Sequence, residues 1–443
     1  SNLFTSQTAL NAGATGDSFA SFLLGMPASG NVQTSLFTAA GMHYQGYYVN
    51  DTFQATNKLT LNLGVRWELP GAYTERFDRQ AIFNPNMVNP TLAAAGIKVN
   101  GAPVMGAFVL PNTSDHPERT LRPEKYKLFA PRVGVAYRLS EKTVLRTGGG
   151  IFFIPSDGVF AEGPAQAAIT YITENMVSTI DNGVTAVNTL SNPYPNGFPA
   201  PPQRDPGYQF TLLGQNQVRS PLRDEKQGLT YQWNVAVQQQ LPGNVALDAS
   251  YSGLRGMHLF RGNPSMQRDV LPGNLLTSMG ASLRDQVDNP FYGFIKVGTL
   301  SQPKVQRAQL LLPFPQYQSL YDFGGRVGDT TYHSLQLKAE KRFGGGGMLL
   351  ASYTFSKSLG NAETFSTWLE GGSGGTGAAG AQDYGNLRGE SSLSSFDSRQ
   401  RLTVSYVVDL PFGKGQKLLP DVKGISGKLI SGWGINGMTT LQL

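Results

Sequence analysis

Apolar and polar residues alternate with a period of two along several long, separated stretches of this chain. Leu59, Leu61, Leu63, Val65 and Trp67 alternate with Thr60, Asn62, Gly64, Arg66 and Glu68. Leu229, Tyr231, Trp233, Val235 and Val237 alternate with Thr230, Gln232 and Asn234, and Leu402, Val404, Tyr406 and Val408 with Arg401, Thr403 and Ser405. Neighbouring side chains of a strand point to opposite faces, so each stretch predicts a strand with one apolar and one polar face. Ten such segments are predicted, at 44–53, 59–68, 128–139, 143–153, 229–241, 244–253, 331–343, 348–358, 398–410 and 430–443. Most are ten to thirteen residues long. A strand of a soluble protein has about 5–6, and a tilted strand crossing a bilayer about 9–11.

The connections alternate as well. Short turns follow the first, third, fifth and seventh segments, and residues 411–429 follow the ninth. The others, 69–127, 154–228, 254–330 and 359–396, are far longer than the roughly 12–15 residues usual for an unstructured loop. Short turns on one side and long extracellular loops on the other are the habit of outer-membrane barrels. The expected fold is therefore all-β, an up-and-down antiparallel transmembrane β-barrel over 44–443. Residues 1–43 lead into it, with a short helix or packed loop at 17–27 and a strand or connection at 28–41. Such a wall turns apolar residues to lipid and polar ones to the lumen. The expected lipid-facing set is Leu61, Leu63, Val65, Trp67, Val235, Val237, Leu247, Leu337, Val404, Tyr406 and Val408. The expected lumenal set is Arg66, Arg132, Arg138, Arg146, Lys338, Glu340 and Arg401, with Asn62, Asn234, Gln336 and Ser405 on the same side. Asp248 and Asp409 are further charged candidates there. Trp67, Trp233, Trp433, Phe152, Phe153, Tyr251, Phe343, Phe355 and Phe412 lie near strand ends, as an interfacial aromatic girdle requires.

Composition narrows the function. Charged residues are 15% of the 443, against about 25% in a soluble globular protein. The 53 glycines, 18 tyrosines and 24 phenylalanines suit strands and turns. No cysteine is present, which removes disulfides and thiolate metal sites. The net charge of +6 is spread out, with no basic run of the kind a nucleic-acid groove carries. No apolar stretch is long enough for a membrane-spanning helix. Residues 1–10 carry neither a basic nor an apolar signal region.

Segments 47–53 (YYVNDTF), 59–68 (LTLNLGVRWE), 129–137 (FAPRVGVAY), 332–343 (YHSLQLKAEKRF), 351–359 (ASYTFSKSL) and 396–413 (FDSRQRLTVSYVVDLPFG), with Gly25 and Pro27, resemble the Oar-like branch of the TonB-dependent receptors. That resemblance implies a barrel of about twenty-two strands filled by a plug. It also implies a carboxypeptidase-regulatory-like domain upstream and energy from the inner-membrane TonB complex. No segment here matches the plug, the TonB box or the upstream domain. The chain is accordingly expected to be part of the barrel, an open sheet with free edges near 44–53 and 430–443 and no plug inside. The function expected is TonB-dependent uptake of a bulky nutrient at the bacterial outer membrane. Its partners would be membrane lipid, the TonB complex through a plug outside this chain, and an extracellular ligand. A non-transporting adhesion or export barrel and a soluble carbohydrate-binding β-protein are the alternatives.

Enzyme chemistry finds little support. The stretch 372–377 (GSGGTG) fits a dinucleotide fingerprint but lacks the strand before it and the helix after it. Ser301 and Lys304 fit S-x-x-K without its companion motifs. His43, His116, His258 and His333 show no metal-ligand spacing, and His333 and Ser334 are strand neighbours that point apart. No catalytic, cofactor or metal residue is expected. Loop aromatics Tyr171, Tyr194, Phe198, Tyr208, Tyr292, Tyr317 and Tyr321 are candidates either for gripping a ligand or for packing the loops.

Overall fold

The computed structural model describes residues 4–6, 15–120, 123–154, 169–179, 185–195, 197–216, 218–221, 226–259, 265–323, 326–344, 346–361, 386–394, 396–414 and 416–443. Ten long strands form one antiparallel wall: β1 (Tyr44–Gln54), β2 (Leu59–Pro70), β3 (Leu128–Ser140), β4 (Thr143–Phe153), β5 (Leu229–Leu241), β6 (Val245–Leu259), β7 (Gly328–Arg342), β8 (Met348–Gly360), β9 (Gln400–Asp409) and β10 (Gly434–Gln442). Each pairs with its neighbours in chain order, and Ser392–Leu393 adds a short pairing to β8. The strands run up and down, so the short links gather at one end of the wall and the long ones at the other. Among the described residues β1 pairs only with β2, and β10 only with β9.

The ten predicted segments are these ten strands, with some shifted ends. β6 continues to Leu259 and β7 begins at Gly328. β10 starts at Gly434 because Gly424–Ile430 is helical. Residues 31–41 lie at the long-loop end. Asp17 caps a helix, α1 (Ser18–Leu23), by accepting the N–H groups of Phe19 and Ala20, both at 2.9 Å. Asn31–Ser35 then pairs with Tyr171–Asn175 of the second long connection, and Ala40–Gly41 with Thr74–Glu75 of the first.

The registers carry one apolar face across the wall. Val49 stands opposite Val65, Leu63 opposite Val133, Val135 opposite Thr147, and Leu145 opposite Val237. The row goes on from Val237 through Ala249, Leu337 and Tyr353 to Leu402 and Leu441. Among the described residues no second layer covers this face: Leu63 is 46% exposed, Val235 43% and Leu337 42%. Among the described residues, the other sheets have only two or three short strands.

The hydrophobic core sits elsewhere. Among the described residues, the buried apolar ones other than Leu128 and Ala130 near the start of β3 belong to the long connections. Phe83, Leu92, Val104 and Phe108 from the first pack with Ile169, Leu212 and Val218 from the second, and with Phe291, Ile295, Phe314, Tyr317 and Leu320 from the third. Burying one such side chain is worth about 1.5–3 kcal/mol. Three loops thus fold around one core, as a water-soluble domain does. Hydrogen bonds join them too. Ser220 Oγ accepts Phe83 N–H at 2.7 Å, and Gln316 Nε2 donates to Met105 O and Gly106 O at 2.8 and 3.0 Å. Gly106 has φ of 92°, and a Cβ there would lie 2.5 Å from the Phe83 ring and 2.6 Å from Phe314. Only glycine fits that position.

Candidate functional site

The polar face of the wall is built by the same registers. Arg66 lies beside Ala130, so Arg132 and Arg138 share its face; Ala136 pairs with Arg146. Arg146 leads through Ala236 and Gln238 to Asp248, and Asp248 stands opposite Lys338. Lys338 leads through Ser352 and Thr403 to Arg401. The seven charged candidates therefore occupy one face, opposite the eleven apolar ones. They form separate groups along it. Near the long loops, Glu68 accepts from Tyr44 Oη at 2.7 Å and Arg66 Nε at 3.0 Å. The Arg132 guanidinium lies 4.6 Å from the centre of the Phe152 ring. Near the short turns, Asp248 accepts from Gln238 at 2.8 Å, while Glu340 holds Arg342 at 3.0 Å and Lys338 at 3.7 Å. These residues, with Glu141 and Lys142, line an open recess of about 720 Å³. Arg138, Arg146 and Arg401 make no ion pair among the described residues.

The loop domain holds the second group of candidates. Tyr171 and Tyr317 are buried and pack the loops, and burial pushes both phenols far up. Tyr208 donates to Phe108 O at 2.7 Å, and burial raises its phenol to about 12. Tyr194 and Tyr321 are half-buried. Phe198 and Tyr292 stay open to solvent.

Three acids among the described loop residues titrate abnormally, and burial raises the Glu174 carboxyl as one of them. Burial pushes the Asp269 carboxyl up to about 7, against the single N–H it accepts from Phe314 at 2.9 Å. Burial pushes Glu75 up as well. There the Arg79 guanidinium, with the N–H groups of Arg79, Phe77 and Ala39, wins and holds it at about 2.

Among the described residues no cluster of His, Asp and Glu has metal-ligand geometry. Ser301 donates to Gly298 O and Lys304 lies exposed in a short strand. The stretch 372–377 lies outside the described residues. The loop core is the feature that sequence reasoning did not find. Its local signals were the apolar groups at 81–83, 107–110, 212–213, 291–295 and 310–314, with Tyr208 and Tyr317 among the loop-packing candidates.

A long-stranded antiparallel wall with an uncovered apolar face and a core in its loops defines an outer-membrane wall protein. The family described as outer membrane beta barrel domain matches residues 1–443, and the chain belongs to it. The protein is accordingly placed in the outer membrane. No curated protein matches this chain. Solved structures similar to it include P. aeruginosa FpvA bound to heterologous pyoverdines, at 11% identity and a TM-score of 0.38, covering 92% of this chain and 29% of that one.

 The alcaligin outer membrane receptor FauA from Bordetella pertussis matches at 10% identity and a TM-score of 0.33, over 84% of this chain and 35% of that one. The outer membrane transporter YddB from Escherichia coli matches at 10% identity and a TM-score of 0.35, over 84% of this chain and 40% of that one. This chain therefore spans well under half the length of each.

Proposed function

We propose that this chain forms part of the wall and the folded outer loops of a receptor that takes up a bulky nutrient across the outer membrane. The observation that carries the reading is the division of apolar surface. The wall leaves its apolar face uncovered, which suits lipid, while the loops bury theirs, which suits water. In this reading Leu61, Leu63, Val65, Trp67, Val235, Val237, Leu247, Leu337, Val404, Tyr406 and Val408 face lipid. Arg66, Arg132, Arg138, Arg146, Lys338, Glu340 and Arg401 line the interior, where they meet water or a plug. The loop domain meets the ligand, with Phe198 and Tyr292 open to it. The resemblance of the strand motifs to Oar-like TonB-dependent receptors supplies the energy source, the TonB complex acting through a plug outside this chain. It also implies a wall of about twenty-two strands, to which these ten would contribute.

The test is nutrient uptake by cells with and without the gene, over peptides, sugar chains and metal chelates. The reading expects one class to need the gene and to lose uptake when TonB is removed. Equal uptake of every class would favour the adhesion or export alternative.

A further inference from the structure

Four basic residues of the wall stand on its apolar face: Arg255, His333, Lys341 and Lys357. Lys341 is at the short-turn end, 5.7 Å from the centre of the Phe343 ring. The other three gather in the last rows before the long loops. His333 stands between Gly253 on β6 and Lys357 on β8, and Arg255 is one row nearer the loops, opposite Thr331.

Aromatic rings frame this group. Trp233 is the partner of Gly253 on β5. A Cβ on Gly253 would lie 2.3 Å from the indole, so glycine lets the ring lie across β6 toward His333. The two rings meet edge-on, with centroids 6.1 Å apart. Tyr251 stacks on the imidazole at 6.0 Å, and its hydroxyl is 2.6 Å from Nδ1. The imidazole is thereby fixed, with Nε2 unpartnered among the described residues. Arg255 is already balanced by Asp329 at 3.0 Å and Thr331 at 2.7 Å. Lys357 is exposed and has no ion pair or hydrogen bond among the described residues.

We propose that Trp233, Tyr251, His333 and Lys357 form a binding site for the phosphorylated head group of an outer-leaflet lipid. The inference rests on the reading of this face as lipid-facing. A cation facing lipid is tolerated near the interface, where its stem can lie along apolar surface and its head reach polar groups. Tryptophan and tyrosine prefer the same level. A free ammonium and a fixed imidazole side by side there match a phosphate in charge and in hydrogen bonding.

The test uses the full-length protein, extracted from the outer membrane in detergent. It is offered lipid A with its phosphates, or the same glycolipid with the phosphates removed, and bound lipid is counted by native mass spectrometry. The phosphorylated form should be retained about fivefold better for each cation engaged. Lys357→Gln combined with His333→Gln should abolish the preference, and Lys357→Arg should keep it. Equal retention of the two lipids by the unaltered protein, or an unchanged preference in the double variant, overturns the site. Quenching by chain-brominated lipid, taken as the difference between the unaltered protein and Trp233→Phe, reports the face itself. Quenching without phosphate preference overturns the head-group site alone, and no quenching overturns both it and the lipid-facing reading.

Discussion

Phe83 of the first long connection and Phe314 of the third meet edge to face, with ring centroids 4.7 Å apart. Neither loop buries its ring alone. Phe83→Ala should destabilise the loop domain by about 3–5 kcal/mol, the usual cost of emptying a packed aromatic site. Hydrogen exchange should speed up across residues 82–110 and 291–320 while β5 to β8 keep their protection. Loss of protection in the first loop only would show that the loops fold independently.

The two faces of the wall should differ in their tolerance of charge. Val235→Arg or Leu337→Arg should cost about 2–4 kcal/mol in lipid, as an arginine does at mid-bilayer on a barrel's outer face. Asn234→Arg should change stability by only about 0.5 kcal/mol. Denaturant titration in liposomes checks both. Equal costs would refute the assignment of faces.

The absence of cysteine from the sequence allows a direct test of the same assignment. In intact membranes a water-soluble maleimide should label Asn234→Cys and spare Val235→Cys. Labelling of the second would mean that water reaches the apolar face.

Asp269 and Glu75 make the loop domain respond to pH in opposite ways. Asp269 is pushed up to about 7, above its unfolded value near 3.9. The folded loops hold its proton longer than the unfolded chain does. Its stabilising effect is complete below about pH 4 and is lost as pH rises to about 7, with a slope of at most about 1.4 kcal/mol per pH unit. Glu75, held at about 2, contributes stability above its unfolded value, which is lost as pH falls toward 2. Hydrogen exchange in the loops between pH 4 and 7 should show falling protection after correction for intrinsic exchange. Asp269→Asn should flatten that profile, and an unchanged profile would exclude Asp269 as its source.

The wall was legible in the sequence because a half-exposed strand writes its environment into alternate residues. Leu61, Leu63 and Val65 needed no partner to declare their face. Parity alone also put Arg66, Lys338 and Arg401 on one side. Their lateral neighbours were not legible, because the pairing of Asp248 with Lys338 depends on the register between β6 and β7. The loop core was hidden for a related reason. Its pieces are strands and helices of two to seven residues, too short to show a period, and Phe83 packs on Phe108 of its own loop but also needs Phe314 and Tyr317 from the third. The last strand begins later than its pattern predicts because Leu429, Ile430 and Trp433 extend the apolar pattern back from β10. The chain there is a helix followed by Gly432 at φ of 82°.

The shared core also bears on how the loop surface can change over generations. Separate loops on a barrel rim can lengthen, shorten or be exchanged one at a time. Here an insertion near Phe108 would disturb the packing of Leu212 and Tyr317 as well. In the reading proposed above, where these loops face outward, pressure from phage, toxins or antibodies can rewrite exposed side chains, among them Phe198 and Tyr292, but leaves little freedom to alter the lengths of the segments beneath them. Escape would come through single substitutions on a fixed relief.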